Sequence, residues 1–326
     1  MNKGILLSLF EAAGAYRINR FLQRKRPMIL MYHRVLKDPL VPGIAPEVFA
    51  QQLAYLKANF RVISVNQLVS EINEGFVEPY SVALTFDDGH QDFYTNAWPL
   101  LKKYQLPASL YVTTGFVDHI CWLWPDLLRY ILLNTQQNTI DIPGVGETPL
   151  EQSNILDIWN RLGDYCLGLR TGDRTRFLQD LAQELNVSTD IQPLSPFSPV
   201  TWDQLREMRS EGLDVGSHTV THPILSDLEE DQLVTELTSS YQRIQDEMGH
   251  PPTGICYPNG MARDISPLVE KLARASYRYG LAAYPCEVSS HQIMHLGRWS
   301  AAHNMPRFKQ IMNSFSHSDN QYGEYR

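Results

Sequence analysis

The sequence predicts an α/β fold in which six to eight strand–helix units surround one core, as in a barrel. From residue 27 onward, short apolar segments alternate with amphipathic segments, which is typical of parallel βα units. The candidate strand 28–32 is continuously apolar, as expected for a strand that is covered on both faces. The chain has 326 residues, of which 43% are hydrophobic and 20% charged, so it is long enough to bury a large core.

The order of the elements follows this alternation. The predicted strands are 28–32, 62–64, 81–86, 108–113, 213–218, 253–257, 280–283 and 294–296. The predicted helices between them are 49–59, 65–72, 92–104, one that Thr201 and Gln204 cap, one that begins at a capping box over 226–229 and ends at Gly249, and 266–275.

Residues from about 115 to 199 interrupt the alternation. They contain Trp122, Trp124, a glycine-containing loop over 143–146, and candidate helices over 150–169 and 175–185. We interpret this stretch as a mostly helical insertion on the barrel rather than a separate domain. The predicted organisation is an N-terminal amphipathic helix, 1–26, and a barrel, 27–326, that carries the insertion at about 115–199.

The N-terminal segment is basic although the chain as a whole has a net charge of −8. Residues 1–30 contain six basic residues and one acidic residue, and a helix over 5–22 would place Leu6, Leu9 and Phe10 on one face. The apolar run is too short to span a bilayer, and Glu11 interrupts it where a signal-peptide core would continue. Two roles stay open, a brace packed on the domain and a loose contact with an anionic membrane surface. We therefore expect a cytoplasmic or membrane-associated protein.

The overall composition excludes several classes of protein. The acidic surplus argues against a nucleic-acid partner, which would favour a basic surface. The four cysteines have no Cys-x-x-Cys spacing, so a cysteine zinc site is not expected and free thiols are.

Polar residues that can carry chemistry follow several predicted strands, at the edge where barrel active sites form. Asp87 and Asp88 come directly after the strand 81–86. Adjacent carboxylates that leave a strand point in different directions, so one could bind a cation while the other handles a proton. The alternative is an Asp-Asp-Gly turn that only ends the strand.

A second cluster contains His218 and His222, which are four residues apart and could lie on one face of a short helical turn before Pro223. Such a pair can be structural. Together with Asp88, however, it supplies three ligands and leaves a position for water, which is the composition of a catalytic zinc site.

These residues resemble a known family. Thr-Phe-Asp-Asp-Gly over 85–89 and His-Thr-x-x-His-Pro over 218–223 are similar to the motifs of the polysaccharide deacetylases of the NodB-homology, carbohydrate esterase type. The resemblance covers about residues 27–300. It implies a distorted (β/α) barrel of seven or eight units and the metal-dependent removal of N-acetyl groups from amino sugars.

The resemblance also implies roles for single residues. Three residues are implied ligands of a divalent metal, most simply Zn²⁺: Asp88, His218 and His222. Asp87 is the implied general base, the backbone amide of Asn259 is the implied oxyanion donor, and Tyr257 is expected to line the sugar pocket.

The chain departs from the family pattern at two places. Many members carry an arginine that pairs with the catalytic aspartate, where this chain has Cys256. We predict that Arg298 replaces it, and the alternative is a surface ion pair. The late histidine that protonates the leaving amine is also missing from its usual pattern. His33, His295 and His303 are candidates, and His33 ranks first because it ends the first strand.

The predicted substrate contacts are His90, beside the aspartate pair, and Trp124 of the insertion, whereas Trp122 is expected to fill a satellite core. The leading hypothesis is an N-deacetylase that acts on an N-acetylated saccharide of an exopolysaccharide or cell-envelope glycan. The alternatives are a sugar-binding relative without turnover and a hydrolase of another acyl amide.

Overall fold

Parallel strands form the central sheet of the protein, which a computed structural model describes over residues 14–313. The strands in chain order are β1 Met28–Tyr32, β2 Arg61–Ile63, β3 Ser81–Phe86, β4 Ser109–Val112, β5 Thr139–Ile142, β6 Gly146–Pro149, β7 Asp214–Ser217, β8 Gly254–Cys256, β9 Tyr279–Leu281 and β10 Trp299–Ser300. The helices are α1 Ala15–Gln23, α2 Pro46–Asn59, α3 Val65–Asn73, α4 Trp98–Tyr104, α5 Thr114–Val117, α6 Trp124–Asn134, α7 Ile155–Leu167, α8 Thr171–Glu184, α9 Trp202–Ser210, α10 Glu230–Met248, α11 Pro267–Ala273 and α12 Met305–Met312.

The sheet curls until its two edges approach each other. Its order is β10–β1–β3–β4–β7–β8–β9, and β2 also pairs with β3. Leu296 pairs with Leu281 of β9, and a few residues later β10 pairs with β1, so a single segment joins both edges. This curled parallel sheet, surrounded by helices, confirms the predicted barrel.

The side chains of each strand alternate between two layers of the core. Leu30 and Leu84 pack in a cluster with the apolar faces of surrounding helices, whereas Ile29 and Ala83 belong to a second cluster with Tyr279. The second layer is tightly filled, since a Cβ at Gly254 would lie 2.1 Å from the Tyr279 ring. The sheet therefore supplies a rigid base for the loops at its carboxyl edge.

Two helices begin differently from what the sequence predicts. The segment predicted as one helix over 92–104 starts with a π-helical turn, Phe93–Ala97, and becomes α-helical at Trp98. Pro99 explains the change, because proline has no N–H to donate and fits the first turn of a helix. The capping box predicted over 226–229 is wrong. Glu229 caps α10 with Gln232, three residues further on, after a 3₁₀ turn at Leu225–Asp227.

The insertion contains α6, α7 and α8 together with an antiparallel hairpin of β5 and β6 that the sequence did not predict. Its helices and hairpin enclose a hydrophobic cluster of their own. Trp122 lies in a smaller cluster with Phe197, and its ring centroid is 5.0 Å from that of Tyr130. The expectation that Trp122 fills a satellite core is confirmed.

The predicted N-terminal helix is described only in part, because residues 1–13 lie outside the described residues. Ala15–Gln23 is helical and contacts α12. Within residues 14–313, no helix has the length and apolar character that crossing a membrane requires.

Candidate metal centre and active site

The predicted site residues gather at the carboxyl edge of the sheet. Asp87 and Asp88 directly follow β3, His218 follows β7, and His33 follows β1. Parallel strands end at the same edge, so residues far apart in sequence meet there. The structure therefore brings together the two motifs that the sequence singled out.

Asp88, His218 and His222 form a compact cluster of metal-binding atoms. Oδ1 of Asp88 lies 3.5 Å from Nε2 of His218 and 3.5 Å from Nε2 of His222. Ligands about 2.0–2.1 Å from a tetrahedral zinc ion are themselves about 3.4 Å apart, so the three atoms fit such an ion. A second candidate set replaces Asp88 and His222 with Asp87 and Cys256. It is less suitable, because Arg298 already binds both oxygens of Asp87.

The two histidines present the nitrogens that a metal needs. Nδ1 of His218 donates a hydrogen bond of 2.7 Å to the carbonyl of Cys256, which directs Nε2 toward Asp88. Nδ1 of His222 is buried and has no hydrogen-bond partner within the described part of the chain. Burial, together with neighbouring His218, lowers the pKa of His222 to about 4, so its imidazole is neutral at pH 7. A neutral imidazole is the form that coordinates metals.

The backbone of this cluster is in an uncommon conformation. Asp88 has a φ of 77° and His222 a φ of 59°, in the left-handed region that non-glycine residues seldom adopt. Such strain costs on the order of 1–3 kcal/mol per residue and concentrates at functional sites. Burial opposes ionisation of Asp88, but the hydrogen bond with His218 holds its pKa well below its usual range. The carboxylate is therefore charged, as a metal ligand must be.

Asp87 is held by Arg298. Nη1 and Nη2 of Arg298 donate to the two carboxylate oxygens of Asp87 at 2.7 and 2.8 Å, and Nε donates to the carbonyl of Ala282 at 2.8 Å. The guanidinium is fully buried, so the alternative that Arg298 makes a surface ion pair is wrong. Burial works against the charged form of Asp87, yet Arg298 lowers the pKa of this carboxyl below its usual value.

Cys256 occupies the space beside this pair. Its Sγ accepts a hydrogen bond from Nη2 of Arg298 at 2.9 Å and lies 3.3 Å from Oδ2 of Asp87. A small side chain at position 256 leaves room for the long side chain of Arg298 to enter from the segment before β10. This arrangement explains how Cys256 and Arg298 coexist in one site.

Of the three histidine candidates for the proton donor, His33 is the one beside Asp87. Its Nε2 lies 3.8 Å from Oδ2 of Asp87, and its side chain is 32% exposed. Desolvation lowers the pKa of His33, although Asp87 raises it. Nδ1 of His295 instead donates to Glu270 at 2.9 Å, and Nδ1 of His303 donates to the carbonyl of Gly43 at 3.0 Å.

His90 lies behind the cluster rather than in an open groove. Its side chain is 3% exposed, Nε2 donates to Oδ2 of Asp126 at 2.6 Å, and Nδ1 is 3.7 Å from Oδ2 of Asp88. The ring is enclosed in this structure, and the substrate contact of His90 stays a prediction. Asp126 was missed by the sequence analysis, since an acidic residue in the first turn of a helix is also an ordinary helix-stabilising feature.

Tyr257 is buried in the core beside the site. It is 1% exposed, its hydroxyl donates to the carbonyl of Met294 at 2.9 Å, and its ring packs in a cluster with residues of α10 and α11. The burial of this ring favours a packing role, and the contact of Tyr257 with a sugar stays a prediction. The sequence signal was ambiguous, because a tyrosine that follows a strand can lie either in a pocket or in the core.

The roles expected of Asn259 and Trp124 remain predictions. Asn259 follows β8 with a φ of 57°, and its side-chain amide donates to Asp264. Trp124 begins α6 and is half-buried, with the guanidinium carbon of Arg174 5.2 Å from its ring centroid. The contact with Arg174 also fits a role for Trp124 in the packing of the insertion.

The fold and the cluster define an α/β barrel with a candidate metal centre at the carboxyl edge of its strands. The family described as polysaccharide deacetylase matches residues 76–140 and 171–280, which is more than half of the chain. The chain therefore belongs to the polysaccharide deacetylase family, and the resemblance seen in its two motifs is confirmed.

Curated relatives match a shorter part of the chain. The poly-beta-1,6-N-acetyl-D-glucosamine N-deacetylase of Staphylococcus epidermidis is 29% identical over 111 residues, which cover 29% of this chain and 38% of the relative. The protein of the same name from Staphylococcus aureus is 31% identical over 106 residues, which cover 28% of this chain and 37% of the relative. The chain thus spans well under half the length of these relatives.

Solved structures share the fold over most of the chain. The deacetylase PplD of Streptococcus pyogenes, in complex with acetate, has a TM-score of 0.60 at 20% identity, covering 89% of this chain and 98% of that one. IcaB from Ammonifex degensii has a TM-score of 0.59 at 18% identity, covering 88% and 96%. At these identities the likeness concerns the fold alone.

Proposed function

We propose that the protein is a metal-dependent N-deacetylase that hydrolyses the N-acetyl group of an amino sugar within a saccharide. One observation carries the proposal: the three-ligand cluster of Asp88, His218 and His222 lies next to a carboxylate, Asp87, that Arg298 holds in place. The names of the curated relatives favour a polymer of N-acetylglucosamine as the substrate. An exopolysaccharide or cell-envelope glycan is the proposed source of this polymer.

The proposed metal is Zn²⁺, held by Asp88, His218 and His222. Two neutral imidazoles and one carboxylate are a common zinc ligand set. When bound, a divalent metal would polarise the acetyl carbonyl and make a water molecule more acidic. The hydrogen bond from Nδ1 of His218 to the Cys256 carbonyl fixes the ring with Nε2 toward the other two ligands.

Asp87 and His33 are the proposed proton carriers. Arg298 keeps Asp87 ionised and oriented, so a carboxylate oxygen can accept a proton from the attacking water while the water oxygen bonds to the acetyl carbon. His33, whose Nε2 lies 3.8 Å from Oδ2 of Asp87, then passes the proton that Asp87 took from water to the amine nitrogen as the C–N bond breaks and acetic acid leaves. The backbone N–H of Asn259 is the proposed donor to the oxyanion, and loss of such a donor costs about 3–4 kcal/mol of barrier.

Acetate release from N-acetylglucosamine oligomers by zinc-loaded protein tests the proposal. We expect Asp87→Asn to retain zinc but to lose activity by about 10²–10⁴-fold, because it removes the base and leaves the ligands. His222→Ala should lose both bound zinc and activity. Zinc content is measured by elemental analysis of the dialysed variants.

Three outcomes would contradict parts of this scheme. If Asp87→Asn kept a near-normal rate, Asp87 would not be the base. If zinc-loaded protein released no acetate from oligomers or polymer, a sugar-binding relative without turnover would be favoured. Release of a different acid from another acyl amide would favour the third hypothesis.

A further inference from the structure

The exposed face of α1 presents three large apolar side chains to solvent. Ile18, Phe21 and Leu22 are 63%, 55% and 67% exposed. Residues three and four positions apart lie on the same side of a helix, so these side chains form one patch, which we call the α1 patch. Within residues 14–313, the guanidinium of Arg24 lies 4.0 Å from the centroid of the Phe21 ring, and all three side chains stay largely exposed.

The opposite face of α1 is fixed to the barrel. Tyr16 is buried, and Nη1 of Arg20 donates to the hydroxyl of Tyr55 at 3.2 Å. At the end of the helix, the carbonyl of Arg24 accepts a hydrogen bond of 2.6 Å from the backbone N–H of Tyr80. These contacts orient the helix, so the α1 patch points away from the barrel.

The contacts also place α1 at the end of the barrel opposite the candidate metal centre. Tyr80 directly precedes β3, and Asp87 and Asp88 directly follow it. A strand of six residues is about 20 Å long. The α1 patch and the metal centre therefore lie at opposite ends of the strands.

Basic residues are concentrated in the segment that carries the α1 patch, although Arg20 faces the barrel. Residues 14–26 contain Arg17, Arg20, Arg24, Lys25 and Arg26 and no acidic residue, although the whole chain has a net charge of −8. An apolar helix face flanked by basic side chains is the pattern of helices that lie in the interface of a membrane. Each basic residue near an anionic lipid surface contributes about 1 kcal/mol of attraction.

We propose that the α1 patch binds an anionic lipid surface and that the active site faces away from this surface. A second copy of the chain is a poorer occupant, because three side chains offer far less than the roughly 800 Å² per partner that a stable dimer buries. An anionic lipid surface complements both the apolar patch and the positive charge around it. This proposal is independent of the deacetylase reaction.

Vesicle flotation of the full chain tests the proposal. We expect the protein to float with vesicles of phosphatidylcholine and phosphatidylglycerol, and not with phosphatidylcholine alone. The triple variant Ile18→Ser, Phe21→Ser, Leu22→Ser should bind at least tenfold more weakly, because each serine removes apolar burial. The matched control Leu194→Ser, at a side chain that is 69% exposed in the insertion, should bind like the wild type.

Binding to neither kind of vesicle, equal binding to both, or unchanged binding of the triple variant would overturn the proposal. A dimer that the triple variant abolishes, without any vesicle binding, would assign the α1 patch to a second copy and overturn it as well. Thermal melting of the triple variant verifies that the fold is intact.

Fluorescence quenching by brominated lipid tests the orientation. The emission added by Phe21→Trp should be quenched on anionic vesicles. The emission added by Ile120→Trp, at an exposed residue that follows α5 near the carboxyl edge of the sheet, should not. Quenching of Ile120→Trp in place of Phe21→Trp would show that the active-site end meets the lipid.

Discussion

Asp87 and Asp88 are neighbours in the chain, but their side chains have different partners. Asp87 receives both arms of the Arg298 guanidinium, whereas Asp88 faces His218 and His222. The left-handed φ of 77° at Asp88 turns the chain directly after β3, so the two carboxylates diverge. One residue can then be a ligand while the other remains available for proton transfer.

The buried pair of Asp87 and Arg298 leads to a prediction about stability. Arg298→Met should lower the free energy of unfolding by about 3–5 kcal/mol, because it leaves a charged carboxylate buried without its partner. Adding Asp87→Asn to Arg298→Met should restore part of the loss, since no unpaired charge then remains. Urea unfolding of the two single variants and the double variant measures this coupling.

Independent effects of the two substitutions would contradict this account of the pair. Arg298→Lys is the conservative control. It keeps the charge but cannot bind both oxygens in the same way, so it should fall between the wild type and Arg298→Met.

Much of the site could be predicted from residue types and spacing. The ligand cluster of Asp88, His218 and His222 follows from two motifs, and the proximity of His33 follows from its place at the end of a strand. The burial of Tyr257 and His90 could not be predicted, because polar residues after a strand point either into a groove or into the core. That choice depends on the helices packed behind the sheet, which lie elsewhere in the sequence.

At the scale of secondary structure, the insertion contributes to the metal centre as well as to its own core. Helix α6 carries Asp126, which accepts the hydrogen bond from His90, and His90 in turn lies beside Asp88. Oδ1 of Asp126 is also 3.9 Å from Nη1 of Arg34, so the carboxylate is held on two sides. The insertion therefore restrains a proposed ligand from behind.

This arrangement predicts that Asp126→Asn weakens zinc binding. Outer partners of metal ligands typically change metal affinity by about 10–100-fold, and we expect about tenfold here, since His90 stands between Asp126 and the ligand. Competition with a zinc-binding dye measures the affinity. Asp157→Asn, at an exposed carboxylate of α7 in the same insertion, is the matched control and should leave the affinity unchanged. Equal zinc affinities for the wild type and both variants would show that Asp126 does not support the metal centre.

The strands were more predictable than the connections between them. Strands such as β1 and β3 are buried along their whole length, so their sequences are recognisable without any partner. The hairpin of β5 and β6 and the two-residue β10 were not predicted, because strands of two to four residues are too short to show a clear hydrophobic pattern. Register and closure also depend on tertiary contacts, such as the pairing of Leu296 with Leu281.

At the scale of the whole molecule, the proposed metal would connect parts of the sheet that are not adjacent. Asp88 follows β3 and His218 follows β7, and β4 lies between these two strands. An ion bound by both would be held only in the folded state, where the two loops meet. Zinc binding and folding should therefore be coupled.

Zinc should raise the stability of the wild type in a concentration-dependent way. A ligand that binds only the folded state stabilises it by about 2.7 kcal/mol when its free concentration is 100 times its Kd. Thermal melting over a series of buffered zinc concentrations measures the effect, and a chelator should reverse it. His222→Ala should show little or no zinc-dependent shift, while His291→Ala, at an exposed histidine in the turn Ser290–Gln292, should respond like the wild type. A shift of equal size in His222→Ala would mean that zinc stabilises the protein by binding at another site. The three-ligand centre would then not be the site that couples the two halves of the sheet.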